Sequence, residues 1–369
     1  MISASLRFAF DIYKHSASRC PSKNFFFSPL SISTAFAMLS EGAKSKTREQ
    51  IIEALGFNLT DIEEEEINKG FEHLILSLPK NESKLSVTLG NVVFLKDKLK
   101  LLETFKGAAK HHYQAEILTS NFDSPEDATN QINDYVEKHT NGKIVDLVDS
   151  LEENTNVVLV NYIFFKGKWK HPFNALETST EKFFVNENTT VEVPMMIQTK
   201  YFNAVFDEEL PCTVVNLPYK GNAYMKLVLP NPRKMKEVED ALSANTFTRW
   251  IHQSNLRLVE LSLPKISIAA SFPLKDTLQE MGMTDVFTDH SGLSRIAEGV
   301  SLKLAKAVHK AFLSVDEEGT EAAAATLEEG VPTTIITEAN FNRPFLLFIC
   351  SQEDHHIFFM GRVENPLEK

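Results

Sequence analysis

The sequence predicts one α+β domain, with helices dominating its first half and strands its second. Three observations carry this. Early in the chain, apolar residues recur at helical spacing behind good capping residues. Later apolar runs are short and bounded by Pro, Gly or polar residues. No Pro/Gly/Ser-rich linker and no internal repeat divides residues 1–369. The apolar fraction of 43%, with 27 Phe, is ample for an extensive core and excludes a disordered chain.

In chain order, Ser28-Pro29 reads as an N-cap followed by Pro at the first helical position. Ile32, Ala35, Phe36 and Leu39 then supply the apolar stripe. Thr47-Arg48-Glu49-Gln50 fits a capping box ahead of Ile51, Ile52 and Leu55. Ser124-Pro125-Glu126-Asp127 opens another helix, carrying Ile132, Tyr135 and Val136 and stopping near Gly142. Val157 to Phe165 is nearly continuous apolar sequence, the mark of a strand covered on both faces. Thr213 to Leu217, Met225 to Leu229, Phe345 to Cys350 and Ile357 to Met360 are further strands.

The formal net charge of −12 disfavours nucleic acid and anionic membranes as partners. No apolar run reaches the roughly 18 residues of a membrane span. Cys20, Cys212 and Cys350 are three and far apart, so they make neither a disulfide scaffold nor a C-x-x-C site. No G-x-S-x-G elbow, Walker loop, H-E-x-x-H or dinucleotide fingerprint is present, and the expectation is a protein that is not an enzyme. His111-His112 and His355-His356 are adjacent pairs whose side chains should diverge on a regular element. They are expected as surface polar residues, with no metal bound. Asn58, Asn81 and Asn188 stand in N-glycosylation sequons, which support secretion. The start Met1-Ile2-Ser3-Ala4-Ser5 shows no signal segment, leaving open a removed leader or an intracellular chain.

The most informative stretch is Glu317-Glu318-Gly319-Thr320-Glu321-Ala322-Ala323-Ala324-Ala325. By itself it reads as a short surface helix or linker. Its small, non-amphipathic side chains also suit a segment that must slide between two existing strands. Three other groups of residues decide between these readings. They are Asn342-Arg343-Pro344-Phe345, the run Asn161 to Trp169, and the ordered blocks Phe26-Phe27-Ser28-Pro29, Gly142 to Leu147, Val193-Pro194-Met195-Met196, Val308-His309-Lys310-Ala311 and Gly361 to Pro366. With these, the chain from about Phe8 to Pro366 resembles the serpins, in particular the secreted group like alpha-1-antitrypsin and alpha-1-antichymotrypsin.

The resemblance implies three β-sheets, about nine helices and an exposed reactive-centre loop at about 317–341. The fold is metastable, and a cut loop enters the main sheet as a new strand. It implies a secreted, monomeric suicide-substrate inhibitor that traps a serine protease covalently. It places a polar shutter cluster at Ser28, Ser31, Asn161 and His309. The site where insertion begins, the breach, falls at Trp169, Lys275 and Glu317, with a Lys275–Glu317 ion pair at the loop base. The family's spacing puts the reactive bond sixteen residues beyond Glu317, at Thr333–Thr334. Gly330-Val331-Pro332-Thr333 offers no basic residue, which points to an elastase-like target.

On insertion, Thr320 should face inward together with Ala322, Ala324, Thr326, Glu328 and Gly330. Glu328 is uneasy there, since a buried carboxylate must protonate or find a partner. The group also contains carriers of steroid and thyroid hormones, so a non-inhibitory carrier of a small hydrophobic hormone is the alternative. Its site would lie near Thr246 to Trp250, with His355 where the steroid carrier has a stacking tryptophan. No cofactor is expected, and Phe71 to Ser86 holds only Lys80 and Lys84 for heparin.

Overall fold

Ser28 shows how local sequence and tertiary structure meet in this protein. In the computed structural model it caps the helix that follows, its hydroxyl accepting from the Ser31 N–H at 3.0 Å. The structure describes residues 1–79, 84–152, 154–272, 274–289, 291–299, 302–319 and 336–368. Its first half contains α1 (Ile2–Arg19), β1 (Phe25–Phe27), α2 (Pro29–Glu41), α3 (Ser45–Ala54), α4 (Glu64–Ser77), β2 (Leu85–Lys96), α5 (Glu103–Tyr113), β3 (Glu116–Ser120), α6 (Pro125–His139) and β4 (Val157–Gly167). Strand then dominates, in β5 (Ser179–Phe184), β6 (Thr190–Asp207), β7 (Cys212–Pro218) and β8 (Ala223–Pro230). After them come α7 (Met235–Asp240), α8 (Ala244–Gln253), β9 (Asn255–Pro264), β10 (Ile266–Phe272), α9 (Leu274–Glu280), β11 (Lys306–Val315), β12 (Thr337–Asn340), β13 (Phe345–Ser351) and β14 (Ile357–Val363). The α+β class is as the sequence predicts.

The second helix start differs in detail from its expectation. α3 begins at Ser45, with Lys44 in the N-cap position and no side-chain cap. Thr47 is buried inside the helix rather than capping it. The reason is tertiary, because the Lys44 N–H is drawn to the Gly292 carbonyl at 3.1 Å and the entry falls three residues early.

Among the described residues, two ladders organise the strands. Five strands run in the order β10-β11-β4-β2-β3. The other ladder holds nine strands, because the 18-residue β6 pairs with β5 at one end and β7 at the other, and with β9 along its middle. Two of the three sheets expected are therefore joined through β6 and β9. In the five-stranded sheet β4 is antiparallel to β2 and parallel to β11, while β10 and β11 are antiparallel.

β4 is buried on both faces, as its apolar run demands. Beneath it lies the main core. Above it, Ala128, Ile132 and Val136 of α6 pack on Val92 and Phe94 of β2 and on Val158, Val160 and Tyr162 of β4. β11 alternates, turning Ala307, His309, Ala311, Leu313 and Val315 inward.

Candidate functional site

The site is the seam between β4 and β11 and the chain that leaves its upper end. Parallel pairing runs from Lys306↔Val158 to Phe312↔Phe164 and stops there, although β11 continues to Val315 and β4 to Gly167. Beyond Val315 the chain makes a tight reversal. Asp316 N–H donates to the Gly319 carbonyl at 2.9 Å, and Gly319 N–H returns the bond to Asp316 at 3.3 Å.

That turn is fastened to the far side of the gap. Trp169 N–H donates to the Glu318 carbonyl at 2.9 Å and Phe173 N–H to the Glu317 carbonyl at 2.7 Å. The Trp169 ring, fully buried and stacked on Tyr219 at 4.3 Å, donates its Nε1–H to the Asp316 carbonyl at 2.9 Å. Gly319 has φ +128°, and a Cβ there would sit 2.2 Å from the Gly167 carbonyl oxygen. Only glycine fits this turn.

Glu317 lies at this point, but its partner is not Lys275. Lys265 Nζ donates to its Oε2 at 2.7 Å and Thr178 Oγ1 to its Oε1 at 2.9 Å. Lys275 is exposed on α9. Register explains the correction. β10 is antiparallel to β11, so Ile266 stands opposite Val315, whereas Phe272 stands opposite His309. Six residues at about 3.3 Å each put the end of β10 roughly 20 Å down the sheet from the turn. Lys275, further along, belongs to the wrong end. Burial works to raise the Glu317 carboxyl, but hydrogen bonds from Lys265, its own backbone and Thr178 outweigh that and hold it below the usual carboxylate range.

Halfway down the seam lies a buried polar cluster. Ser28 N–H donates to His309 Nε2 at 3.1 Å, so His309 must carry its proton on Nδ1, which lies 2.6 Å from Asn161 Oδ1. The Asn161 amide donates to the Ser31 carbonyl at 3.0 Å and to Asn91 Oδ1 at 2.7 Å. Asn91 in turn donates to Thr34 Oγ1 at 3.2 Å, and Thr34 to the Ser31 carbonyl at 2.8 Å. Burial without a charged partner pushes His309 down to about 3, so the ring is neutral. The structure thus brings Ser28, Ser31, Asn161 and His309 together. Ser31 takes part through its backbone, while its hydroxyl is buried without a partner among the described residues.

Sequence reasoning missed Asn91, Thr34 and Lys265. Asn91 did leave a signal, as a buried amide in the apolar run of β2. Beside it, a Cβ on Gly90 would fall 2.0 Å from the Tyr162 ring.

A strap crosses the outer face of the seam. After α6 the chain runs back over the sheet, held by paired hydrogen bonds of 2.9 Å between the Asn133 side chain and the Val148 backbone. From β11, Lys310 Nζ donates to the Val145 carbonyl at 2.7 Å and Lys306 Nζ to the Ser150 carbonyl at 2.8 Å. Further along the sequence, Thr337–Asn340 forms β12, parallel to β9 from Thr337↔Val259. Of the hinge residues, Glu317, Glu318 and Gly319 form the turn. Thr320, Glu321 and Ala322 to Ala325 lie outside the described residues, as do Glu328 and the bond Thr333–Thr334.

Asn58 and Asn188 are exposed, and Asn81 lies outside the described residues. All three cysteines are free thiols. Arg249 pairs with Asp207 at 2.6 Å and with Glu209. Trp250 is fully buried, its Nε1–H held by Asp207 at 2.7 Å. Near α8 a groove of about 760 Å³ is lined by Tyr201, Tyr224, Ile251, Leu256 and His355, among others. His355 is bonded to the Tyr224 hydroxyl at 3.1 Å.

The expectation for the histidine pairs fails twice. His356 is buried, and His111 and His112 converge rather than diverge, because both rings turn toward one carboxylate, Glu72.

A parallel seam, a glycine turn above it and the strand β12 paired on β9 stand together in this chain. The family pattern described as Serpin (serine protease inhibitor) matches residues 3–366, and the chain belongs to the serpin family. It is 43% identical to human corticosteroid-binding globulin over 370 residues, covering 100% of this chain and 91% of that protein. It is 44% identical to alpha-1-antiproteinase of Rattus norvegicus over 366 residues, covering 99% and 89%. The solved structure of human thyroxine-binding globulin superposes with a TM-score of 0.94 at 40% identity, covering 99% of this chain and 98% of that one. Human glycosylated kallistatin gives 0.90 at 41% identity, covering 99% and 97%. Relatives of similar identity thus include both antiproteinases and hormone-binding globulins.

Proposed function

We propose that this chain is a secreted, monomeric suicide-substrate inhibitor of serine proteases with an elastase-like target. The observation that carries this is the turn at Asp316 to Gly319. It reverses the chain directly above a seam whose ladder has already stopped, and four alanines follow within six residues. A segment running back from Gly319 is necessarily antiparallel to β11. Because β4 is parallel to β11, the segment is antiparallel to β4 as well. Insertion therefore exchanges one parallel interface for two antiparallel ones, the slightly more stable pairing, and adds a full strand of backbone bonds.

Before cleavage the loop is tied at both ends, by the turn and by β12. The protease's serine attacks the Thr333 carbonyl, the bond to Thr334 breaks, and Thr333 becomes an acyl ester on the enzyme. The free segment then zips into the seam and carries the enzyme with it. Small side chains at 322–325 let the first half enter without clash.

Mixing the chain with a panel of serine proteases should give a covalent complex with elastase-like members that survives denaturing electrophoresis. Nicking the loop should raise the melting temperature sharply, and Thr320→Arg should abolish the complex while leaving cleavage intact. Cleavage without complex across the panel rejects the inhibitor reading.

A second reading, carriage of a small hydrophobic hormone, is favoured by the groove beside His355 and by the likeness to hormone-binding globulins. Equilibrium dialysis with a labelled corticosteroid and with thyroxine tests it, and absence of saturable binding to both removes it.

A further inference from the structure

α4 and α5 lie side by side, with Phe71 against Tyr113 at 5.9 Å and the Tyr113 hydroxyl donating to Asn68 Oδ1 at 2.6 Å. On the solvent side of this contact stand Glu72 from α4 and His111 and His112 from the last turn of α5. His112 Nδ1 is 2.8 Å from Glu72 Oε2, and His111 Nε2 is 3.9 Å from the same oxygen. One donor atom from each of the three residues falls within 4.8 Å of the others. Neighbours on a helix point about 100° apart, so two successive imidazoles reach one carboxylate only through side-chain rotations that bring them together. Their ring centroids are 4.6 Å apart.

We propose that Glu72, His111 and His112 form a three-ligand site for a divalent cation of the zinc class, with water completing the shell. Two imidazole nitrogens and one carboxylate oxygen are the donor set of zinc sites that keep an open position. Calcium and magnesium prefer all-oxygen shells. A tetrahedral shell with metal–ligand bonds of about 2.0–2.1 Å separates its donors by roughly 3.3 Å. The His112–Glu72 contact, now 2.8 Å, would have to widen by about half an ångström to reach that spacing, and the His111 ring would have to swing inward.

The surroundings permit this. The His111 side chain is 70% exposed, whereas His112 and Glu72 are 21% and 26% exposed. The site is therefore sheltered on one side and open to water on the other. No lysine or arginine occupies Glu72 among the described residues, since Lys69, one turn earlier, is bonded to Glu65 at 2.6 Å. A bound ion would clamp α4 to α5, the helices that precede the paired strands β2 and β3.

The test uses the full chain freed of metal and titrated with zinc chloride alone against a chromogenic chelator. One equivalent should bind in competition with the chelator and raise the melting temperature. Outer-shell partners of metal sites already cost about 10–100-fold in affinity, so Glu72→Gln, His111→Ala and His112→Ala should each weaken binding at least tenfold. His139→Ala on α6 should leave it unchanged. His111→Ala changes the most exposed ligand and keeps the test alive should His112→Ala fold poorly. Absence of a competing equivalent overturns the site, as does unchanged affinity in the variants, or calcium chloride binding as tightly as zinc.

Discussion

β4 has two edges, and they are built differently. Toward β2 it pairs antiparallel along its whole length, eleven residue pairs from Leu95↔Val157 to Leu85↔Gly167. Toward β11 it pairs parallel over seven and stops at Phe312↔Phe164, short of the ends of both strands. The first edge is secured by continuous ladder bonds. The second relies on added devices, namely the His309–Asn161 hydrogen bond beneath it, two lysines gripping the strap above it, and a glycine turn at its top. Parallel pairing is a little weaker per residue, so the same strand presents one edge that resists parting and one held shut by a few separable contacts.

The contrast can be broken most severely at the turn. Gly319→Ala places a Cβ against the Gly167 carbonyl at a φ that L-residues avoid, and should cost the intact chain about 3 kcal/mol or more. Urea unfolding measures it, and a loss under about 0.5 kcal/mol would show that the turn bears no load. Next comes His309→Ala, which leaves the Ser28 N–H and Asn161 Oδ1 buried without partners. Each orphan costs about 1–3 kcal/mol, so a loss of at least about 2 kcal/mol is expected in total.

The third effect is on pH dependence. His309 is held at about 3 by burial, against an ordinary value of 6.5. Its contribution is fully present above pH 6.5 and is lost as pH falls from there toward 3, because only the unfolded chain takes up the proton. Between pH 7 and 5 that amounts to about 2 kcal/mol. Carboxylates add to acid sensitivity mainly at lower pH, so His309→Gln should flatten the profile in this window, and an unaltered slope removes the neutral-histidine account. Smallest is Lys265→Met at the loop base. Lys265 is 39% exposed, so screening limits the pair with Glu317 to under about 1 kcal/mol. A larger loss would mean that the ion pair, rather than the backbone bonds of Trp169 and Phe173, fastens the turn.

Much of this region was legible from residue types. Ser28, Asn161 and His309, picked out because they sit inside motifs whose order matches the family, lie together beneath the seam, and Trp169 lies at the loop base. Lys275 was misplaced because sequence motifs do not report which end of an antiparallel strand faces the turn, whereas the register of β10 on β11 does. Thr47 looked like a cap by local chemistry, but Gly292, far away in sequence, captured the preceding backbone instead. His111 and His112 were expected to diverge from helix geometry, and a carboxylate on another helix drew them together.

Local chemistry was enough to specify the helix starts at Ser28 and Ser124, the doubly covered strand from Val157, and the small-residue run after Gly319, since propensity, capping and side-chain volume act over a few neighbours. Folding in three dimensions alone settled which lysine meets Glu317, which amides complete the network around His309, and where the β4–β11 ladder ends. Those outcomes depend on strand register and on partners dozens to hundreds of residues away, and a one-residue slip in register reverses every side chain in a strand.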